Sequence, residues 1–434
     1  MTRPIAATVV GAVSLALLSI AALPDAGGAP SGEDGASQYR LSRDEHARAV
    51  AYSRSRYRLY FFGAAYGIVI LAGLIAAGVA PALRDVALAA SPRAWVQAIV
   101  YVPPLLAILA VSGLPLEVQH HRLELEYAQS IQGWASWFAD WLKGQALALA
   151  IGTFMVWLLY AIVRGSPERW WLWFWVAAQP IIVFLLFLEP IVIAPLFFRF
   201  EPLEAAAPAL VQDIEKVIHR ADLDIPRSRM FEMKASEKLR TVNAYVAGIG
   251  ASKRVVVWDT TIEKLSREQT LFVFGHELGH YVLGHIPRLI AASAAGLFVF
   301  LFVGALAADW LLARYGIPWG MRGLDDWASL PVLLLLFSVF GFFASPIANA
   351  YSRSLERQAD EYGLGVIDGV VADPPAAAAS AFQALGEIVL ADPDPPLLAK
   401  LWLFSHPPIA ERIRFARSWH ATAAASGERA APTR

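Results

Sequence analysis

Six long apolar stretches dominate this sequence and decide what it can fold into. They run over 60–80, 95–115, 144–163, 170–198, 289–313 and 328–350. Each is close to the roughly 20 residues that an α-helix needs to cross the hydrocarbon core of a bilayer. Charged residues make up only 17% of the chain, whereas about 25% is usual in a soluble domain. The chain is therefore predicted to be an all-α polytopic membrane protein with the lipid bilayer as its first partner.

A seventh apolar stretch, 5–23, can be read either as a signal peptide or as a first span. Arginines between Arg40 and Arg58 crowd the segment that precedes the stretch at 60–80. Because cytoplasmic loops collect Lys and Arg, this segment is predicted to be cytoplasmic. Alternation then puts 199–288 and 351–434 on the same side, and both are rich in Lys and Arg. We therefore favour a retained first span, about seven transmembrane helices in all, and a cytoplasmic location for the polar regions 199–288 and 351–434.

The overall charge and the absence of cysteine exclude several classes of protein. The net charge is −1, so the chain lacks the basic surface of a nucleic-acid binder, and no nucleic-acid partner is expected. It contains no cysteine, which excludes disulfide frameworks, a cysteine nucleophile and thiolate metal sites. Any bound metal must therefore be held by His, Asp or Glu.

The spans divide the chain into five parts. These are 1–58 (first span and basic segment), 59–200 (spans two to five), 201–288 (first polar block), 289–350 (spans six and seven) and 351–434 (second polar block). The two polar blocks must meet in space if they form one site. In the first block, the pattern of apolar residues predicts a helix over 204–222. Thr241–Ala247 and Arg254–Trp258 read as two strands of a small β-hairpin.

The sharpest motif is His276-Glu277-Leu278-Gly279-His280. Ser266 and Gln269 have the spacing of a capping box, which predicts that a helix starts just before the motif. On a helix, residues four apart share a face, so the two imidazoles converge on one Zn²⁺ while Glu277 lies beside them to activate water. This pattern also arises by chance, so its context must decide whether it is a metal site.

A catalytic zinc needs a third protein ligand. His285 is a poor candidate, because on one continuous helix it would lie about 140° around from His280. Glu356 and Asp360 share a face of a predicted helix after the last span, so Glu356 can be the ligand and Asp360 an acceptor for an imidazole N–H. From the residues alone, an ordinary solvated acidic pair remains the alternative. A second metal site at His120-His121 with Glu124 and Glu126 is less favoured than an amphipathic helix.

Several motifs resemble those of the integral-membrane type I CAAX prenyl endopeptidases, and the similarity runs from about Ala51 to Arg412. The matching pieces, in order, are Tyr52-Ser53-Arg54, Phe62-Gly63, Pro195-Leu196-Phe197, Phe200-Glu201-Pro202-Leu203-Glu204, Asn243-Ala244-Tyr245, Ser252-Lys253-Arg254, His276-Glu277-Leu278-Gly279-His280, Glu356-Arg357-Gln358-Ala359-Asp360 and Ser405-His406-Pro407.

The resemblance implies a fold and a set of residue roles. It implies that His276, His280 and Glu356 bind one zinc ion per chain and that Glu277 is the general base. It also implies that Asn243 and His406 stabilise the oxyanion, and that the spans enclose a water-filled chamber. The strand that contains Asn243, Ala244 and Tyr245 is expected to bind an extended peptide along its edge. The substrate is then a peptide or protein, prenylated or not.

Three function classes are open from the sequence. The first is a membrane zinc endopeptidase that acts from the aqueous side. The second is an intramembrane metalloprotease that cleaves transmembrane substrates, with its metal-binding helix inside a span. The third is a transporter or receptor in which the motif is fortuitous. Polar groups on both sides of the motif, at Ser266–Gln269 and His285–Arg288, favour the first class.

Overall fold

The structure is a computed structural model and describes residues 39–248 and 253–420. The predicted first span at 5–23 and the hairpin turn at 249–252 lie outside the described residues. The α-helices are α1 Arg43–Ala76, α2 Val79–Ala90, α3 Ala94–Glu126, α4 Trp134–Gly165, α5 Trp170–Leu188, α6 Ala194–Phe197, α7 Leu203–Ala206, α8 Pro208–Arg220, α9 Asp259–Lys264, α10 Arg267–Val282, α11 His285–Tyr315, α12 Leu330–Ile367, α13 Pro374–Ile388, α14 Leu397–Leu403 and α15 Ile409–Ser418. The strands are β1 Phe200–Pro202, β2 Met230–Met233, β3 Ala244–Ala247 and β4 Arg254–Trp258.

Six helical segments in the described part of the chain are long and apolar enough to cross a bilayer. They are Arg43–Ala76, Ala94–Glu126, Trp134–Gly165, Trp170–Phe197, His285–Tyr315 and Trp327–Ile367. These coincide with the six apolar stretches, which confirms that prediction. Only 6 to 17% of each hydrophobic window is buried inside the molecule. Burial this low is expected when helices form the wall of a chamber rather than a solid bundle.

Two separate cores close the two ends of the span region. At one end, α8, α10, α13 and α15 pack against the sheet around buried Phe272, Phe274 and Phe382. At the other end, α2 and the ends of the spans pack around Tyr101, Tyr160 and Trp327. The chain between α11 and α12 is held there by a buried ion pair, in which Arg84 Nη1 lies 2.6 Å from Asp326 Oδ2.

The predicted hairpin is present, within a larger sheet than the sequence indicated. Strands β3 and β4 pair antiparallel, with Tyr245 opposite Val256. Strand β2 pairs parallel with β4, and β1 pairs antiparallel with β2, so the strand order is β1-β2-β4-β3. Strand β3 begins at Ala244 rather than at Thr241. The Thr260 hydroxyl donates to the Thr241 carbonyl instead, which takes that residue out of the ladder.

The predicted helix over 204–222 is divided into α7 and α8. Ala207 leaves the helical conformation with ψ 67°, and Pro208 starts the new helix at its first position. Proline fits at the first turn because its missing N–H would have no intrahelical acceptor there. Val211, Ile214, Val217 and Ile218 form the buried face of α8, in agreement with the predicted periodicity.

Helices α10 and α12 cross at glycines, and this crossing joins the two polar blocks. A Cβ atom added to Gly363 would lie 2.9 Å from the backbone nitrogen of His276. One added to Gly275 would lie 3.2 Å from the Gly363 carbonyl oxygen, and one added to Gly279 would lie 3.3 Å from the Ala359 Cα atom. Because hydrogen is the only side chain that fits, the backbones of the two helices touch. The prediction that the blocks meet in space is confirmed.

This crossing predicts that Gly363→Ala separates α10 from α12, because its Cβ would meet backbone that cannot move independently. We expect a loss of about 1–3 kcal/mol, the usual cost of overpacking a tight core. The control is Gly365→Ala on the same helix, where an added Cβ meets nothing within 4 Å. That variant should be neutral or slightly stabilising, since alanine favours a helix more than glycine does. Thermal unfolding in detergent would decide, and equal midpoints for the two variants would contradict the packing argument.

Candidate metal centre and active site

Helix α10 carries the His-Glu motif, and a capping box fixes the N-terminus of this helix. Ser266 Oγ accepts a hydrogen bond from the Gln269 backbone N–H at 3.2 Å. In return, the Ser266 backbone N–H donates to Gln269 Oε1 at 2.9 Å. The predicted capping box is thus confirmed. Leu271, Phe274 and Leu278 anchor the buried face of α10.

The two histidines of the motif meet Glu356 from α12. The Nε2 atoms of His276 and His280 lie 3.2 Å apart. Glu356 Oε2 lies 3.3 Å from His276 Nε2, and Glu356 Oε1 lies 3.4 Å from His280 Nε2. The structure therefore brings together the three residues that the sequence selected as ligands.

This cluster has the dimensions of a metal site. Zinc–ligand bonds of about 2.0–2.1 Å in a tetrahedron place neighbouring ligand atoms about 3.3–3.4 Å apart. The separation of the two Nε2 atoms, and the distance from each of them to the nearer Glu356 oxygen, are close to this. Glu356 Oε2 is buried and has no hydrogen-bond partner among the described residues, although a buried carboxylate oxygen is normally paired. Imidazole nitrogens and a carboxylate are also a common ligand set for catalytic zinc. The residues fit a zinc ion.

Asp360 orients the first histidine. Its Oδ1 atom lies 2.8 Å from His276 Nδ1, the ring nitrogen that faces away from Glu356. Asp360 lies one helical turn after Glu356 on α12, and both side chains are buried. An acceptor on Nδ1 fixes the tautomer that leaves the Nε2 lone pair free for a metal.

Arg412 completes this arrangement, and the sequence analysis missed it. Its Nε donates to Asp360 Oδ2 at 2.9 Å and its Nη2 to Asp360 Oδ1 at 2.5 Å, a two-point contact with the carboxylate. The guanidinium also lies over the Phe382 ring, 4.2 Å from its centroid. One signal was available, because Arg412 falls among Ile409, Ile413 and Ala416 on the apolar face of α15. A charge on such a face is normally paired.

The electrostatics of α10 suit both a cation and a base. Burial alone would lower the pKa of His276, but the neighbouring Asp360 and Glu356 carboxylates raise it to about 9, so the cluster favours a positive charge. Burial lowers the pKa of His280 to about 4, which keeps its ring neutral. Burial raises the pKa of Glu277 to about 7, with the Glu356 carboxylate adding to the effect. A base with its pKa near 7 can both take and return a proton.

A cavity of about 140 Å³ opens beside Glu277. Asn243, His406 and Arg412 line it together with His276 and apolar side chains. The Nε2 atom of His406 lies 3.3 Å from Glu356 Oε2, and more than half of the His406 side chain is exposed. Asn243 ends the extended segment before β3, and Ala244 and Tyr245 are the first residues of that strand. Asn243 and His406, for which the resemblance implies a role in stabilising the oxyanion, thus line the same cavity as Glu277.

His285 lies on a different helix from the one that the sequence analysis assumed. Gly284 adopts the left-handed conformation, with φ 68° and ψ 36°, so α10 stops and His285 begins α11. Glycine adopts this conformation at little cost, which explains the sharp break. The Nδ1 atom of His285 lies 3.0 Å from Nδ1 of His280, on the side away from the ligand cluster.

His120 and His121 lie in the last turns of a helix that is long and apolar enough to cross a bilayer, rather than on a separate amphipathic helix. Both lie on helix α3, where the buried His121 ring stacks on Trp137 at 5.1 Å and contacts the edge of Trp134 at 4.7 Å. Among the described residues, the group of His, Asp and Glu that could hold a metal is His276, His280 and Glu356. His121 is therefore part of an aromatic cluster.

Comparisons with known proteins agree with this geometry. The model of peptidase family M48 matches residues 204–420. The model of the CAAX prenyl protease N-terminal region, with five membrane helices, matches residues 36–199. The polar blocks and the span region thus each match a known module.

Individual relatives match over most of the chain. An uncharacterized metalloprotease of Bacillus subtilis, YhfN, is 35% identical over 382 residues, which cover 87% of this chain and 86% of YhfN. The human CAAX prenyl protease 1 homolog is 26% identical over 59% of this chain and 60% of its own length. The crystal structure of S. mikatae Ste24p has the same fold, with a TM-score of 0.76 at 22% identity over 94% of this chain and 97% of that one.

A fortuitous motif in a transporter or receptor is therefore excluded. The chain belongs to peptidase family M48 and is an integral-membrane, multi-pass metalloendopeptidase.

Proposed function

We propose that this protein hydrolyses peptide bonds with one zinc ion per chain, held by His276, His280 and Glu356. The observation that carries the proposal is the cluster of these three side chains, in which the two Nε2 atoms lie 3.2 Å apart and each lies 3.3 to 3.4 Å from a Glu356 oxygen. When bound, zinc would polarise a peptide carbonyl and make water a stronger acid. Asp360 and Arg412 would hold the His276 ring in the orientation that this requires.

Glu277 is the general base in this proposal. It directly follows the first ligand, lines the cavity, and has a pKa raised to about 7 by burial. It would take a proton from the attacking water and deliver it to the leaving amine. Glu277 is not part of the cluster that could hold a metal, which consists of His276, His280 and Glu356. Its carboxylate is therefore free to act on water.

Asn243 and His406 would stabilise the oxygen that becomes negative during attack. The Oδ1 atom of Asn243 already accepts the Ala244 backbone N–H at 2.8 Å, so its amide NH₂ is left as a donor. His406 Nδ1 lies 2.9 Å from the Ser405 hydroxyl, which leaves Nε2 directed towards Glu356 and the cavity. Donors fixed in place before reaction stabilise developing charge most effectively.

Strand β3 would bind the substrate backbone. It is the last strand in the order β1-β2-β4-β3, so one side of it is not covered by another strand of the described sheet. The Asn243 carbonyl accepts the Trp258 N–H at 3.1 Å, and alternation then directs the Ala244 carbonyl and both backbone groups of Val246 to the open side. An extended peptide that adds there is aligned by its main chain.

The substrates in this proposal are peptides with or without a C-terminal prenyl group. A prenyl chain would hold the peptide at the membrane and contact apolar chamber wall, at about 0.8 kcal/mol per buried CH₂. The human relative is named a CAAX prenyl protease 1 homolog, which supports a lipidated substrate. Recognition through β3 needs only an extended backbone.

We also propose that the catalytic region, built from 201–288 and the chain after 350, faces the cytoplasm. The segment that carries the arginines lies on the same side of the spans as the catalytic region. There, the Arg40 backbone and the Gln383 side chain exchange hydrogen bonds. A surplus of basic residues marks the cytoplasmic side.

An intramembrane protease would carry its metal motif within a span. Helix α10 is not among the six membrane-crossing segments of the described chain. The aqueous-side interpretation is therefore favoured, although Glu356 lies on the extension of the last span.

The catalytic prediction is that Glu277→Gln abolishes peptide hydrolysis while zinc content stays at one per chain, because only the base is lost. The matched control is Glu268→Gln, an exposed residue in the first turn of the same helix, which should keep full activity. Cleavage is measured by mass spectrometry and zinc by elemental analysis. Activity in Glu277→Gln above about 1% of the unmodified protein would exclude Glu277 as the base, since a general base contributes about 10²–10⁴-fold.

The topology prediction uses the natural absence of cysteine. Single cysteines at Ser42 and Ser418 should react with an impermeant maleimide only after the cell membrane is opened. A cysteine at Ser166, between α4 and α5 on the other side, should react in intact cells. The opposite pattern would place the catalytic region outside the cytoplasm and support a cleaved signal peptide.

The substrate prediction concerns matched farnesylated and unmodified C-terminal peptides. Both should be cleaved, with faster cleavage of the farnesylated peptide, because β3 reads the main chain and the lipid only adds binding energy. Mass spectrometry of the products gives the rates, with Glu277→Gln as the blank. Cleavage restricted to farnesylated peptides would refute recognition by backbone alone. Cleavage of neither peptide, with zinc bound, would contradict the endopeptidase proposal itself.

A further inference from the structure

His285 contacts the proposed ligand His280 on the side of its ring that faces away from the metal centre. It is fully buried, and its Nδ1 atom lies 3.0 Å from Nδ1 of His280. The two rings meet edge to face, with centroids 5.0 Å apart and planes at 75°. Its Nε2 atom has no hydrogen-bond partner among the described residues. His280 is therefore the polar partner of its Nδ1 atom, and Gln358 is a further polar side chain that acts on the ring.

The chemistry of a metal-binding imidazole fixes the direction of this hydrogen bond. A neutral histidine carries one proton, and one that offers the Nε2 lone pair to a metal carries that proton on Nδ1. The His280 Nδ1–H must then donate, and His285 Nδ1 must accept. His285 in turn holds its own proton on Nε2.

The two proposed imidazole ligands are thus supported differently. His276 Nδ1 faces the Asp360 carboxylate at 2.8 Å, whereas His280 Nδ1 faces a neutral ring. An acceptor on the outer nitrogen of a metal-binding histidine holds the ring in place and increases its basicity.

We propose that His285 is a positioning residue for the metal centre, and that it accepts the Nδ1–H of His280 so that Nε2 faces His276 and Glu356. The proposal rests on the proposed function, in which His280 is a ligand. Because Gly284 ends α10 and His285 is the first residue of α11, the contact also attaches the ligand helix to the first turn of a membrane span.

The test compares side chains that keep, lose or move the acceptor. In His285→Asn, the side-chain Oδ1 takes the place of Nδ1 and accepts the same hydrogen bond. In His285→Leu, the side chain has nearly the shape of asparagine but cannot accept. In His285→Gln, the amide group lies one bond further out, near the position of Nε2.

The readout is zinc affinity of the purified full-length chain, measured by competition with a chromogenic chelator in the absence of substrate. We expect His285→Leu and His285→Gln to bind zinc about 10–100-fold more weakly, the usual effect of losing such a support, and His285→Asn to stay within about 3-fold of the unmodified protein. The thermal midpoint of each chelator-treated variant reports folding separately. If His285→Leu does not fold, the difference in zinc affinity between His285→Asn and His285→Gln tests the proposal.

Two outcomes would overturn the inference. One is an equal loss of zinc affinity in all three variants, which would assign His285 a packing role. The other is unchanged affinity in all three. His280→Ala and Glu356→Ala test the centre itself and should lose stoichiometric zinc. If they retain it, the proposed metal site is wrong; if they lose it while the three His285 variants behave alike, only the role of His285 fails.

Discussion

The backbone contact between α10 and α12 is the constraint on which the rest of the site depends. Glu356 can reach His276 only because no side chain separates the helices at Gly275, Gly279 and Gly363. The two polar blocks are far apart in the sequence, and a pair of spans separates them. Helix packing through glycine is familiar between membrane helices, where small residues allow close approach. Here it joins a helix outside the spans to the extension of a span.

Helix α12 has two functions because of its length. Its 38 residues extend about 57 Å, nearly twice the thickness of the hydrocarbon core. The first part forms a wall of the chamber, and the last part carries Glu356 and Asp360 into the catalytic core. Helix α10, which carries His280, ends at Val282, and α11 begins at His285 after Leu283 and Gly284. The proposed ligands are therefore attached to both spans of the last pair, so the membrane region and the metal centre are mechanically one unit.

The sequence predicted the features that are encoded locally. Apolar runs predicted the spans, Ser266 and Gln269 predicted the start of α10, and the four-residue spacing of the histidines predicted their shared face. The features that were missed depend on distant partners or on one backbone conformation. Strands β1 and β2 are too short to carry a periodic signal. They form because β2 pairs with β4 and β1 pairs with β2. Arg412 is defined by Asp360 on another helix, and the position of His285 was misjudged because Gly284 interrupts the helix.

The location of the site bears on the proposed cleavage of both lipidated and ordinary peptides. The proposed base and oxyanion donors line one cavity, and the exposed side chain of His406 shows that water reaches it. Within the described sheet, strand β3 has β4 on one side and an open edge on the other, which suits a backbone of any sequence. In the proposed function, apolar surface of the chamber wall contacts the lipid. Lipid affinity and peptide alignment would then be provided by different parts of the molecule, and loss of the lipid would weaken binding without disturbing the geometry at the scissile bond.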